Sequence, residues 1–324
     1  MLTYALRRLL ISIPIILFAT FLIFMAVSVS GDPLADLRQL PNITQEQIDN
    51  VREARGLNDP LPVQYLRWVE QIPQGGFGEY LISPRPIWPD LRRVLGNTLQ
   101  LVIAAEVLAF ILAVALGVLS AKRQYSVFDY TTTTLSFFGY SMPSFLFALF
   151  LQVIVVQIFV RTGVRIFPIG NLSSANPGTG IAFVLDRVWH LALPIASLAI
   201  FSVASYSRYM RASMLEVIHS DYVRTARAKG LPERTITVRH SMRNALIPTV
   251  TVAALSFGTL LAGAIVIETV FGLDGMGRYF FQQIGRRDPY PIIGWLTIVG
   301  VIIVTFNLVA DILYGYLDPR IRYE

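Results

Sequence analysis

The sequence predicts an all-α polytopic membrane protein with six spans and a lobe outside the bilayer between the first two. Three observations carry this expectation. The chain of 324 residues is 54% hydrophobic and only 15% charged, with mean hydropathy +0.56, too apolar for an ordinary soluble domain. Six stretches reach the roughly 20 apolar residues needed to cross about 30 Å of hydrocarbon, where an unpaired backbone group finds no partner. Basic residues also gather in the loops of one side.

The first span is expected over residues 9–29. Arg7 and Arg8 precede it and Ala26, Ser28 and Ser30 close it, which also suits a cleaved signal peptide. Its apolar run is longer than a usual signal core, so a retained anchor over 1–30 is preferred. Residues 31–97, rich in Pro, Gly and charge, read as an extracytoplasmic lobe of short helices and turns. Within it, "TQEQIDNVREARGL" reads as a helix capped by Thr44 and ended by Gly56. Residues 98–324 form the expected five-helix membrane core, with spans at 98–121, 131–160, 188–207, 245–267 and 291–310. The 131–160 span is overlong and contains Pro143, which predicts tilt, a kink or a part outside the hydrocarbon.

With the N-terminus inside, the cytoplasmic loops and termini hold Arg7, Arg8, Lys122, Arg123, Arg320, Arg322 and eight basic residues from Arg208 to Arg243. The short external loops hold Arg161, Arg165, Arg187, Arg278, Arg286 and Arg287. Fourteen against six puts both termini in the cytoplasm. The +6 net charge then reflects those loops and anionic lipid rather than nucleic acid. No cysteine is present, which excludes disulfides, thiol nucleophiles and Cys-ligated metals. The chain has no G-x-x-x-x-G-K-[ST] loop to cradle ATP phosphates, no H-E-x-x-H and no G-x-S-x-G, so energy must come from a partner and catalysis is unsupported. Gly272, Gly275 and Gly277 do not follow the dinucleotide fingerprint and are expected to let a loop turn back near the external face.

The basic stretch over 208–244 is the most informative. Ser220 is positioned to cap a helix starting at Asp221, whose carboxylate suits the positive helix end. Arg227 and Lys229 fall in its last turn, Gly230 suits the left-handed position after it, and Pro232 prevents continuation. Pro232 also suits the first position of a second helix running through Arg239 into the fifth span. A short helix tethered by two spans can transmit a push across the membrane face, whereas the same residues also suit a solvated positive loop. Tethering on both sides leaves a helix-turn-helix DNA reader little freedom to dock.

The chain resembles the membrane permeases of bacterial ATP-binding-cassette importers for dipeptides and oligopeptides, the first permease of the pair. The resemblance spans essentially the whole chain. It rests on "YALRRLLISIPI" from Tyr4, "SGDPL" from Ser30, "GNTLQL" from Gly96, "YVRTARAKGL" from Tyr222, "RNALIP" from Arg243, "IETVFGLDGMGR" from Ile267 and "DPRIRY" from Asp318. It implies a coupling helix seated in a groove of an ATPase subunit, carried here by Tyr222, Arg224, Ala226, Arg227, Lys229, Gly230 and Leu231. The superfamily's Glu-Ala-Ala signature stands here as Arg224, Thr225 and Ala226, and its leucine-proline is displaced to Ile247 and Pro248. Both departures are what the peptide branch looks like. The resemblance further implies a homologous second permease, two ATPase subunits holding ATP and magnesium, an extracytoplasmic binding protein and residence in the bacterial cytoplasmic membrane, with no cofactor or metal bound by this chain. Nickel permeases share this architecture. An ion-gradient-driven secondary transporter is the reading from a different class, although no internal repeat supports it.

Among lone polar residues, Glu106 lies within the second span, where lining a conduit and closing an interhelical hydrogen bond are both open. Asp311 is expected to cap or pair at the cytoplasmic end of the sixth span. Glu268, closing the fifth, reads as structural.

Overall fold

The structure, a computed structural model, describes residues 2–38, 43–74 and 76–317. The "DPRIRY" block with Arg320 and Arg322 lies outside the described residues, as do the side chains of Arg7, Arg8 and Asp311. Helices follow in the order α1 Leu2–Val29, α2 Ala35–Arg38, α3 Gln45–Ala54, α4 Leu61–Gln71, α5 Trp88–Lys122, α6 Val127–Ser141 and α7 Ser144–Thr162. Then come α8 Ile181–Ile218, α9 Asp221–Ala228, α10 Glu233–Thr235, α11 Arg243–Val270, α12 Met276–Arg286 and α13 Pro289–Leu317. The described residues contain no strand beyond one isolated bridge, Glu79 to Pro86.

Five helices, α1, α5, α7, α8 and α13, are long and apolar enough to cross a membrane by length and composition. The remaining expected span, 245–267, lies within the continuous 28-residue α11. The overlong span at 131–160 divides into α6 and α7 at Met142 and Pro143. Met142 is extended (φ −84°, ψ 127°), as a residue before proline must be to avoid the ring, and Pro143 then starts α7.

The chain divides into two compact units, with the divisions falling inside α5, between Leu273 and Asp274 before α12, and inside α13. One comprises Met1–Thr98 and Asp274–Thr305. Its core gathers Phe24, Tyr65, Trp68 and Ile293, with the Tyr65 hydroxyl donating to the Leu17 carbonyl at 2.7 Å. Thr44 caps α3 in a reciprocal box with Gln47, and Gly56 follows in the left-handed region (φ +62°), as the sequence predicts. Polar contacts tie the lobe to the 274–305 segment. Tyr80 and Tyr279 share a hydrogen bond of 2.8 Å, Asn97 donates to the Asp274 carbonyl at 2.7 Å, and Arg93 pairs with Asp274. Asp288, 6% exposed, accepts the N–H groups of Leu81 at 2.9 Å and Tyr290 at 3.2 Å. Burial pushes its carboxyl up to about 6, with those two backbone donors pulling the other way. Of the three glycines expected at one turn, Gly272 takes φ +61°, whereas Gly275 is extended at the start of α12 and Gly277 lies inside it.

The other unit comprises Leu99–Leu273 and Phe306–Glu324 and is built around α8. A methyl group at Gly117 of α5 would stand 2.6 Å from Met210 Cβ and 2.9 Å from the Ser207 carbonyl oxygen, so α5 and α8 meet backbone to backbone there. On another face of α8, Arg211 grips the buried Asp129 of α6 through Nε at 2.6 Å and Nη2 at 2.7 Å. Ser136 and Ser207 meet 3.2 Å apart along the same α6–α8 contact.

Candidate functional site

The basic stretch folds from local rules outward. Along α9 the apolar residues Val223 and Ala226 fall three apart, hence on one face, and both are buried against Ile236 with Val217 beside them. Tyr222, Arg224, Arg227 and Lys229 occupy the exposed remainder. The helix ends in a double backbone closure: Gly230 N–H donates to the Arg227 carbonyl at 2.9 Å and Leu231 N–H to the Ala226 carbonyl at 3.4 Å. This requires a left-handed residue, and Gly230 has φ +73°. Lys229 is the cap residue itself, one step beyond the last turn.

Two local expectations are corrected. Ser220 stands at the N-cap of α9, but its hydroxyl turns back to donate to the Val217 carbonyl at 2.6 Å, which the Ser220 N–H also reaches at 3.0 Å, and makes no cap bond. Pro232 is the residue before α10 rather than its first, and the second helix is not uniform. Three α residues lead into a π-helical stretch over Ile236–Met242 that runs into α11. Such wide turns are rare and collect at functional positions. Nothing in hydrophobic spacing announces one.

The sequence-predicted coupling residues therefore separate by role. Ala226 is buried and holds α9 down, whereas Tyr222, Arg224, Arg227, Lys229, Gly230 and Leu231 are exposed together around its outer face and turn. Arg227 Nε donates to Glu233 Oε1 at 2.8 Å across the turn. Asn244 donates to the Tyr222 hydroxyl at 2.8 Å, joining α9 to the start of α11. Sequence reasoning missed Glu233, although a carboxylate three residues past Gly230 was a readable signal.

Glu106 lies on α5 away from this stretch. Both its carboxylate oxygens are buried without a hydrogen bond of ordinary geometry, and so is the hydroxyl of Tyr206 on α8. The polar neighbours of that phenol are Glu106, Ser256 and Ser202. Tyr206 also lines a cavity of about 340 Å³ whose wall includes Ser141 to Ser144, the break between α6 and α7. The sequence singled out Glu106 by its charge but not Tyr206, because nothing local relates residues that far apart in the chain. Glu268 is buried at the end of α11, and its own carbonyl accepts the Leu273 N–H at 2.8 Å.

Comparison with known proteins agrees with this architecture. Residues 113–323 match the family described as binding-protein-dependent transport system inner membrane component, and residues 1–80 match its N-terminal counterpart. The chain belongs to this family: it is a multi-pass inner-membrane transport permease and not an enzyme. It is 40% identical to the oligopeptide transport system permease protein AppB of Bacillus subtilis (strain 168) over the full length of both chains. It is 36% identical, again over the full length of both, to the dipeptide transport system permease protein DppB of Escherichia coli (strain K12). Among solved structures, the MetNI methionine ABC transporter in an inward-facing conformation superposes with a TM-score of 0.53 at 16% identity, covering 70% of this chain and 96% of that one. That likeness is one of fold alone. Membership of a binding-protein-dependent transport family sets aside the ion-gradient reading.

Proposed function

We propose that this chain is one half of the membrane pathway of an ATP-driven importer for short peptides, and that α9 is the helix through which ATP hydrolysis moves it. A homologous permease supplies the other half. Two ATPase subunits hold ATP and magnesium on the cytoplasmic side, where both termini of this chain also lie, and an extracytoplasmic binding protein delivers the peptide. The single observation carrying the coupling role is the two-sidedness of α9. It buries Val223 and Ala226 against Ile236, while Arg224 and Arg227 are exposed on its other face and Lys229 at its cap. A helix held on one face and tethered between α8 and α11 moves as a unit with them. Peptide as substrate is supported by end-to-end similarity to oligopeptide and dipeptide permeases.

Reconstitution with the ATPase subunits and binding protein tests this. Uptake of labelled dipeptide is expected to be blocked by vanadate and to survive collapse of the proton gradient. Uptake that follows the gradient and ignores vanadate would reject the reading. Sidedness is tested in this cysteine-free chain with an impermeant thiol reagent on intact cells: Asn58→Cys is expected to label and Gln124→Cys is not.

A further inference from the structure

The segment that follows α7 is pinned beside it. Gly163 takes φ +72° and donates its N–H to the Phe159 carbonyl at 2.8 Å, which ends the helix and turns the chain. Two side chains then hold the backbone beyond the turn. Trp189 Nε1 of α8 donates to the Ile166 carbonyl at 2.7 Å, and Gln152 Nε2 of α7 donates to the Ile169 carbonyl at 2.9 Å. The same Gln152 nitrogen reaches the carbonyl of Val270, the last residue of α11, at 3.2 Å, so this segment lies at the level where α11 ends. Between α7 and the segment runs a groove of about 270 Å³, lined by Val155, Val156, Phe159, Phe167 and Ile169. Phe159 and Ile169 are 49% and 45% exposed, so much of this apolar wall is left uncovered by the chain. Among the described residues lining the groove, only Arg165 is charged. Its guanidinium stands 5.8 Å from the centre of the Trp189 ring, and among the described residues it meets no carboxylate and makes no hydrogen bond.

Such a site asks for two things in one ligand. The apolar wall wants hydrocarbon, and the unused donors of Arg165 want an anion whose oxygens match the guanidinium fork, as a phosphate does. The location supplies both. α7 is long and apolar enough to cross a membrane, and Trp and Arg gather where such helices end among the lipid headgroups. We propose that the groove between α7 and residues 163–169 binds a phospholipid of net negative charge, with acyl chain against Val156, Phe159 and Ile169 and the phosphodiester on Arg165. A zwitterionic lipid carries the same phosphate but neutralises it with its own ammonium group, so it binds the same groove more weakly. The site is distinct from α9 and stands whether or not the solute is a peptide.

The experiment uses the assembled transporter in nanodiscs, with cysteines of the other subunits replaced and a fluorophore on Val160→Cys. Val160 is 71% exposed and lies one helical turn beyond Val156 on the same face of α7. Quenching by chain-brominated phosphatidylglycerol and by chain-brominated phosphatidylcholine, each mixed with the unbrominated other lipid, gives the ratio of their binding constants at this position. Phosphatidylglycerol is expected to be favoured by at least about fivefold, the preference that one basic residue near an anionic headgroup supplies. Arg165→Gln should bring the ratio to within about twofold of unity, Arg165→Lys should keep most of the preference, and 0.5 M salt should lower it in the parent by screening. Filling the groove with Val156→Phe and Ile169→Phe should abolish the preference while Arg165 remains. A ratio near unity in the parent, or one that neither Arg165→Gln nor salt changes, overturns the proposal. Preference that survives the filled groove also overturns it, because the acyl chain then lies elsewhere. Glycerol 3-phosphate at millimolar concentration is expected to leave the quenching unchanged; competition by it would make Arg165 a site for soluble anions instead. Absence of quenching by either lipid overturns the proposal as well, since the groove is then covered by another subunit.

Discussion

Arg227 Nε donates to Glu233 Oε1 at 2.8 Å, bridging the two sides of the turn that Gly230 closes. Both side chains are about half exposed, at 45% and 61%, so the pair itself adds well under about 1 kcal/mol to stability. Its importance is positional: it holds the guanidinium at the tip of α9. If Arg227 acts through a contact with an ATPase subunit, Arg227→Glu is expected to reduce binding-protein-stimulated ATP hydrolysis at least about fivefold, equivalent to roughly 1 kcal/mol of coupling. Swapping the pair in Arg227→Glu with Glu233→Arg separates the alternatives. The swap is expected to leave the defect, because the outward charge is still wrong. Full recovery in the double variant would reduce Arg227 to an internal latch.

Gly230→Val places a β-branched residue at φ +73°, at a cost of about 1–2 kcal/mol, although no neighbouring atom obstructs the side chain. The strain opens the closure of α9 without touching the spans. Membrane abundance is expected to stay within about twofold of the parent, because the loop lies outside the apolar segments that drive insertion. Retention of the ATPase subunits on purification, or stimulation of their hydrolysis, should fall. Gly230→Asn is expected to be milder, since asparagine tolerates the left-handed region. Equal behaviour of the two variants would show that backbone geometry is not what matters at this position.

The Asp129–Arg211 pair fixes α6 on α8. Removing Arg211 strands a carboxylate that is only 3% exposed in the native structure, with the Tyr125 N–H at 3.0 Å left to donate to it. Arg211→Met is expected to destabilise the detergent-solubilised protein by roughly 2–3 kcal/mol, and adding Asp129→Asn should restore part of it by removing the stranded charge. Thermal unfolding of the two single variants and the double variant measures the coupling. Additive losses would mean that the pair is incidental.

Asp288 predicts a pH dependence. Its folded-state value of about 6 lies above that of an unfolded aspartate near 3.9, so the native state holds the proton more tightly. The resulting contribution is full below about pH 4 and is lost as pH rises through about 6, roughly 3 kcal/mol in all. Asp288→Asn cannot titrate, but it leaves one of two backbone N–H groups without its acceptor. The variant is therefore expected to melt below the parent at pH 4.5, with the gap narrowing by pH 7.5. A gap that does not change with pH would remove Asp288 as the titrating group.

Much of this protein was readable before any tertiary contact. Apolar run length located the long apolar helical segments, because a backbone in lipid must bond to itself and a long helix does so. Pro143 marked the break in the third segment, Thr44 the start of α3, and Gly230 the close of α9, since each acts through its own backbone and near neighbours. The same locality explains the two misjudged caps: Ser220 and Pro232 sit where a competing acceptor or a one-residue shift costs little, and sequence carries no measure of either. The π-helical turn over Ile236–Met242 was invisible because it alters the hydrogen-bond register without altering hydrophobic spacing.

Packing alone governs which distant polar groups meet. Tyr80 finds Tyr279, Leu81 finds Asp288, Asp129 finds Arg211, and Tyr206 brings a phenol to the buried Glu106, each across many tens of residues or more. The sequence determined that Glu106 sits within an apolar helix. Only packing determined that its oxygens are buried with the Tyr206 hydroxyl as a neighbour, because that depends on which faces of α5 and α8 close on each other, and Gly117 permits that approach only against the particular neighbours Ser207 and Met210.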